Sequence, residues 1–331
     1  MESRSLKLAL EYVKDAQKAS KSSWFSKPEW DIAAKRWDDA ASSYKTAQHY
    51  EESIDCYTKA SEAYVSANSI YLAAKCIENA AVLAEKQLRN PANAIKYYCR
   101  ASDLYRSQGS SPDRAASMME KAAKICESVD INQAIQLYDN ALNIYETEDR
   151  ARFSMDTFKR VTKLMVDNGR FMESVEIQSR LVAVCEQINN RSELNKSRLC
   201  VIILLLAFGD SIEAGKKLDE FGQDVSFARS NEAGVADFMI QAYKNGDQEM
   251  FSDLAGDQTL SFIESSVARL AARIRVPGAK RAAPEASVPP ASETASAGIP
   301  NNPHAPDYAP LQQPPAAGNG NVEDDEDDDL L

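Results

Sequence analysis

From Ala33 to Leu181 the chain repeats one pattern: a small side chain, a larger one four positions on, and a third position three beyond that. The units are Ala33/Trp37/Ala40, Ser53/Tyr57/Ala60, Ala73/Ile77/Ala80, Ala94/Tyr98/Ala101, Ala115/Met119/Ala122, Ala134/Tyr138/Ala141, Ser154/Phe158/Val161 and Ser174/Gln178/Leu181. Their starts lie 20, 20, 21, 21, 19, 20 and 20 residues apart. Spacing i, i+4, i+7 puts the three side chains on one face of a helix. Small residues let two helices approach, and the larger one fills the gap between them. Each unit is therefore one helix and a turn, and two units make a hairpin of about 40 residues. An ordinary helical bundle shares this spacing, but not eight units in one frame.

The helix breakers agree with the frame. Asn90-Pro91, Gly109 to Pro112 and Asn168-Gly169 fall between units, and strand-like alternation is hard to find. The expected fold is all-α: a tetratricopeptide-like solenoid of antiparallel helix hairpins over 1–200. Past Asn189 the frame degrades. Cys200–Phe208 is apolar on every face and reads as a helix buried on all sides. Helices near 211–221, 231–244, 247–254 and 258–275 then form a C-terminal helical bundle over 201–276 that caps the array. From Pro277 the composition changes: ten of thirteen prolines lie in 277–331, among Ala, Ser, Gly and Asn. Such a segment buries too little apolar surface to offset its ordering entropy and is expected to be disordered.

Charge follows the same division. Residues 281–331 hold one basic and ten acidic residues, a balance of −9, which leaves −3 for the other 280. This balance argues against nucleic acid as a partner. Met1–Lys18 is charged and amphipathic, unlike a signal peptide, and Cys200–Phe208 is too short to span a bilayer. Cys56, Cys76, Cys99, Cys126, Cys185 and Cys200 lie far apart, with only His49 and His304 beside them, so free thiols are expected rather than a metal site. No phosphate-binding, dinucleotide, zinc-protease or nucleophile-elbow motif occurs, so neither an enzyme nor a cofactor is expected. Stacked hairpins expose long surfaces, and binding is the activity they suit.

Three features could carry that binding. Lys21–Asp31 places Trp24, Phe25 and Trp30 among Lys21 and Lys27. Aromatics beside lysines suit a membrane–water interface, where burial of Trp24 and Phe25 contributes about 2–3 kcal/mol each. The same rings could staple the first helix to the array, and Trp30 favours that. The second feature is Lys121 and Lys124 in one unit and Arg160 and Lys163 at the same positions two units on. Alternate helices of a hairpin array lie side by side, so four like charges would repel there and an acidic partner would relieve them. Solvated, scattered cations are the alternative account. The third is the acidic run 323–329 followed by Leu330-Leu331, on a lead spanning about 35–40 Å. It is a solubilising end or a partner contact.

Several stretches together resemble the soluble NSF attachment protein family, most closely its gamma branch. They are Lys27-Pro28-x-Trp30-Asp31 running into Ala33–Tyr57, the helix at Ala134–Tyr138, Asn168–Phe171 and Arg275–Gly278, in the 20-residue frame. The resemblance implies a cytoplasmic adaptor, peripherally associated with membrane, that serves vesicle-mediated protein transport such as ER–Golgi traffic and membrane fusion. Its partners would be assembled SNARE four-helix bundles (syntaxin-type and others) and the NSF AAA ATPase, which it recruits and stimulates. By the same resemblance Trp24 and Phe25 contact membrane, and Arg160, with Lys121, Lys124 and Lys163, meets the acidic SNARE surface. Asp327, Asp328, Asp329, Leu330 and Leu331 would contact the ATPase. The long proline-rich insert departs from the family's short tail. A repeat scaffold that clamps a peptide or chaperone tail is the alternative.

Overall fold

The computed structural model describes residues 2–21, 27–107, 111–148 and 150–278. It contains fifteen α-helices among those residues: α1 (Glu2–Ala19), α2 (Trp30–Thr46), α3 (Tyr50–Ser66), α4 (Ile70–Lys86), α5 (Pro91–Ser107), α6 (Pro112–Cys126), α7 (Ile131–Thr147), α8 (Met155–Asp167), α9 (Phe171–Gln187), α10 (Arg191–Phe208), α11 (Ser211–Gly222), α12 (Val225–Ala228), α13 (Asn231–Asn245), α14 (Gln248–Ala255) and α15 (Ser265–Ala271). Successive helices from α1 to α10 pack against one another as hairpins, which is the all-α repeat architecture the periodicity predicts. Gly109 lies outside the described residues.

The small positions do what their size allows. Ala33, Ala40, Ala73, Ala80, Ala94, Ala101, Ala115, Ala122, Ala134 and Ala141 have no solvent exposure at all. Two buried serines at or beside these positions bond to a neighbouring helix. Ser53 Oγ donates to the Ala41 carbonyl at 2.7 Å, and Ser102 Oγ to the Ala115 carbonyl at 2.8 Å. Such partners offset the cost of burying a hydroxyl. In α9, Gln178 fills the large position and donates to Thr162 Oγ1 at 2.8 Å.

The turns share one device. Gln48, Asn68, Arg89, Gly169, Asn189 and Gly209 have positive φ, and each stands two residues before the next helix begins. The amide after each then reaches back to close the helix end, as His49 N does to the Tyr44 carbonyl at 2.9 Å and Asn190 N to Cys185 at 2.9 Å. Gly209, at φ 100°, adopts this at no steric cost.

The frame departs from expectation in two places. At α8 the first turn is a 3-10 turn, Ala151–Phe153, and Ser154 becomes the residue that joins it to the helix. The frame also persists one helix further than the sequence indicates. α10 begins 20 residues after α9, and Leu194, Arg198 and Val201 occupy its buried positions. Arginine in the large position hides this unit from a search for apolar residues.

α10 is buried from Leu199 to Leu206, as its composition predicts, but Phe208 at its end is exposed. It packs against α9, α11, α13 and α15, and α15 also meets α8, so the C-terminal helices fold back on the array. The 200/201 division falls inside α10. The single helix expected at 258–275 is broken. A 3-10 turn, Gln258–Phe262, ends at extended Ile263, and Glu264 caps α15 by accepting from Ser266 N at 3.2 Å. Gln248 fastens the last described strand of chain, donating to the Ile274 carbonyl at 3.3 Å and accepting from Val276 N at 3.0 Å.

Candidate functional site

The even-numbered helices α2, α4, α6 and α8 lie side by side, and polar contacts cross from each to the next. Cys76 on α4 reaches Asp38 on α2 at 4.0 Å. Lys121 on α6 donates to Glu78 on α4 at 3.1 Å. Arg160 on α8 grips Glu127 beside α6 with two donors, at 2.6 and 3.0 Å, and Thr157 donates to Glu120. Glutamates of the ladder also meet tyrosines from the odd helices between. Tyr98 donates to Glu85 at 2.6 Å, Tyr105 to Glu78 at 2.9 Å, and Tyr138 to Glu127. A rung of this ladder thus combines a carboxylate, a tyrosine and a cation from three successive helices.

Between α6, α7 and α8 the ladder opens into a groove of about 380 Å³. Lys121, Lys124 and Arg160 line it, together with Glu120, Asp156, Tyr138, Tyr145 and Phe153. Three of the four cations singled out from the sequence therefore converge. Lys163 does not line the groove; it bonds Asp167 one turn along its own helix at 2.5 Å.

The expected repulsion among the four does not arise, because Lys121, Arg160 and Lys163 each hold a carboxylate. Their partners lie 43, 33 and 4 residues away. Only the first two depend on how the hairpins stack. Lys124 is exposed and forms no ion pair among the described residues. The Glu127 hydrogen bond holds the Arg160 guanidinium charged well above its ordinary range. Burial works to raise Glu127, but the hydrogen bonds from Arg160 and Tyr138 outweigh it and hold this carboxyl below its usual value. Its contribution to stability is therefore present at neutral pH and lost as pH falls through that lowered pKa.

The first rung is incomplete. Asp38 has the helix position of Glu78 and Glu120, but Asn79 stands on α4 where α6 has Lys121 and α8 has Arg160. Burial pushes the Asp38 carboxyl up, only partly opposed by Lys35 and Lys75, while Asp39 adds to the rise. A raised carboxyl pKa means the folded state penalises the ionised form above that pKa, and the penalty is relieved as pH falls. Asp38→Asn should therefore stabilise the protein at pH 7 by about 0.5 kcal/mol, a small gain because the group keeps some solvent. The gain should vanish below about pH 3, where the carboxyl is protonated in both states. Thermal melts of both proteins across that range check it; an advantage that persists in acid would mean charge is not its source.

Trp24, Phe25 and the Asp327–Leu331 terminus lie outside the described residues. Trp30 is partly buried and packs against the core, on the stapling side of the two readings. The tyrosine–glutamate rungs were missed by sequence reasoning. Their signal is present: Tyr57, Tyr98 and Tyr138 recur at 41 and 40 residues, as do Tyr64, Tyr105 and Tyr145. Among the described residues no group of three or more potential metal ligands assembles, and no helix is long and apolar enough to cross a membrane.

The sequence model described as soluble NSF attachment protein, SNAP, matches residues 7–257. A gamma-soluble NSF attachment protein of Dictyostelium discoideum is 31% identical over 201 residues, 60% of this chain and 61% of that protein. The protein of the same name from Arabidopsis thaliana is 28% identical over 197 residues, covering 60% and 67%. The chain thus spans 61% of the Dictyostelium relative's length in that match. Among solved structures, BtubC (BKLC) from P. vanneervenii overlaps 74% of this chain and 92% of its own at 15% identity, with a TM-score of 0.35, a likeness too loose to bear on function. With three-quarters of its length matched in frame, the chain belongs to the soluble NSF attachment protein family.

Proposed function

We propose that this chain binds assembled SNARE four-helix bundles along the face of α2, α4, α6 and α8, and brings the NSF AAA ATPase to them for disassembly. Members of its family are adaptors without enzymatic activity of their own, with a role tied to NSF and SNAREs. The observation that carries the finer reading is the convergence of Lys121, Lys124 and Arg160 on one groove between alternate helices. A folded bundle presents rows of carboxylates at fixed spacing, and a rigid ladder of cations matches rows better than a flexible loop does. The carboxylates of the ladder temper its charge, so a partner must exchange one set of ion pairs for another. That favours selectivity over raw affinity.

The remaining parts follow the family. Trp24 and Phe25 would add a membrane contact, giving a cytoplasmic protein peripheral attachment where SNAREs are anchored, in vesicle-mediated traffic such as ER–Golgi transport. Asp327–Leu331 would reach the ATPase, the carboxylates steering and the leucines docking.

Lys124→Glu is the cleanest test, since this side chain holds no partner within the described fold. Anisotropy titration of a soluble SNARE bundle should show roughly tenfold weaker binding at low salt, narrowing as salt rises. The melting temperature should not move. If the wild-type chain binds one extended segment as tightly as the folded bundle, the peptide-clamp reading replaces this one.

A further inference from the structure

One edge of the same face is apolar. The residue just before a unit's opening small position is Ile32 in α2, Leu72 in α4 and, in the 3-10 turn ahead of α8, Phe153; these are 49%, 43% and 59% exposed. At α6 that position is Arg114, whose guanidinium lies 5.7 and 5.8 Å from the Tyr71 and Tyr105 ring centres. The equivalent residues of the odd helices are Glu52, Asn93, Gln133 and Glu173. The same register position is thus apolar in three of four units on one face and polar in all four on the other, which solubility alone does not require. The other large exposed apolar residues of α2–α9 and their turns, Val65, Val129 and Met172, do not recur in the frame.

Phe153 is the most exposed of the row. It ends the 3-10 turn, with its amide donating to the Arg150 carbonyl at 2.9 Å, and Ser154 Oγ closes the turn on the Ala151 carbonyl at 2.6 Å. On one side it borders the groove of Lys121, Lys124 and Arg160. On the other it borders a second hollow of about 350 Å³ edged by Arg150 and Arg152. An exposed aromatic ring between two cationic rims is the arrangement of an interface anchor, where apolar contact supplies affinity and the charged rim excludes wrong partners.

We propose that Ile32, Leu72 and Phe153 form an apolar rail for the acidic helical partner, with Phe153 as its chief anchor. The matching surface carries an apolar side chain flanked by carboxylates, one set for Lys124 and Arg160 and one for Arg150 and Arg152. The proposal rests on the SNARE-bundle reading above and adds to it which residue sets specificity. Charge complementarity commits it to an acidic protein surface rather than to lipid.

The test uses the full chain and a soluble assembled SNARE bundle. Phe153→Ser should bind about tenfold more weakly at both low and high salt, because lost apolar contact is not screened. Phe153→Leu should stay within about threefold of the wild type, and both should melt with it because the ring is exposed. Unchanged binding by Phe153→Ser overturns the rail while leaving the function standing. So does a loss confined to low salt, or a lowered melting temperature that makes the ring a core contact. Weakened recovery on anionic vesicles with intact bundle binding would overturn it in favour of a lipid-facing ring. A wild-type chain that binds no bundle at all removes both readings together.

Discussion

Phe158→Ala should lower the unfolding free energy by about 3–5 kcal/mol, the largest single effect expected in the array. Phe158 is wholly buried in the large position of α8, the shortest helix of the repeats at 13 residues. Its ring also lies 5.9 Å beneath the Arg180 guanidinium. Arg180 in turn donates to Glu146 at 3.2 and 2.9 Å, to Asn143 at 3.0 Å, and to Asp139. Truncation leaves a cavity and takes away the apolar floor under this network at once. α8 has little else to replace it, since its first turn is given over to the 3-10 segment. Urea unfolding should show a lower midpoint at unchanged slope. A loss below about 1 kcal/mol would mean the layer collapses around the gap and the ring is not its keystone contact.

Arg160→Glu should act on fold and binding together, and a second substitution should separate them. The change sets two carboxylates where a two-donor ion pair stood, costing about 1 kcal/mol after allowance for their partial exposure. Bundle binding should fall by about tenfold or more. Glu127→Arg added to Arg160→Glu restores the pair with its polarity reversed, and the melting temperature should return close to wild type. Binding should not return with it. Glu127 does not line the groove, so the restored cation stands outside the place where the partner is met. Recovery of both would show that net charge on this face, not a donor on α8, is what the partner reads.

Most of the array was legible because its rule is local. Ala80 or Ala122 can be read as a contact point from its neighbours three and seven residues away, without knowing which helix it touches. The same holds for Cys200 to Leu206, whose apolar sequence leaves no face for water. Arg198 shows where local reading stops. It fills a buried position in α10 because Glu186 and Asp224 each accept from it at 2.8 Å and because Phe221 and Phe227 flank it at 5.4 and 5.3 Å. None of those partners lies within one helical turn of it. Phe208 fails in the opposite sense, apolar by composition but left exposed where α10 ends.

The amino-acid sequence by itself determined the helices, their 20-residue frame and the faces they bury, because i, i+4 and i+7 neighbours are fixed by the chain's own geometry. It also placed Lys121, Lys124 and Arg160 on alternate helices. Only the tertiary structure decided what those cations do. Glu78 lies 43 residues from Lys121, and Glu127 lies 33 from Arg160. At such separations an attraction or a repulsion exists only once hairpins have stacked. Coulomb energies fall with distance and are screened within about 8–10 Å, so the charges along a chain carry no sign of whether they will meet.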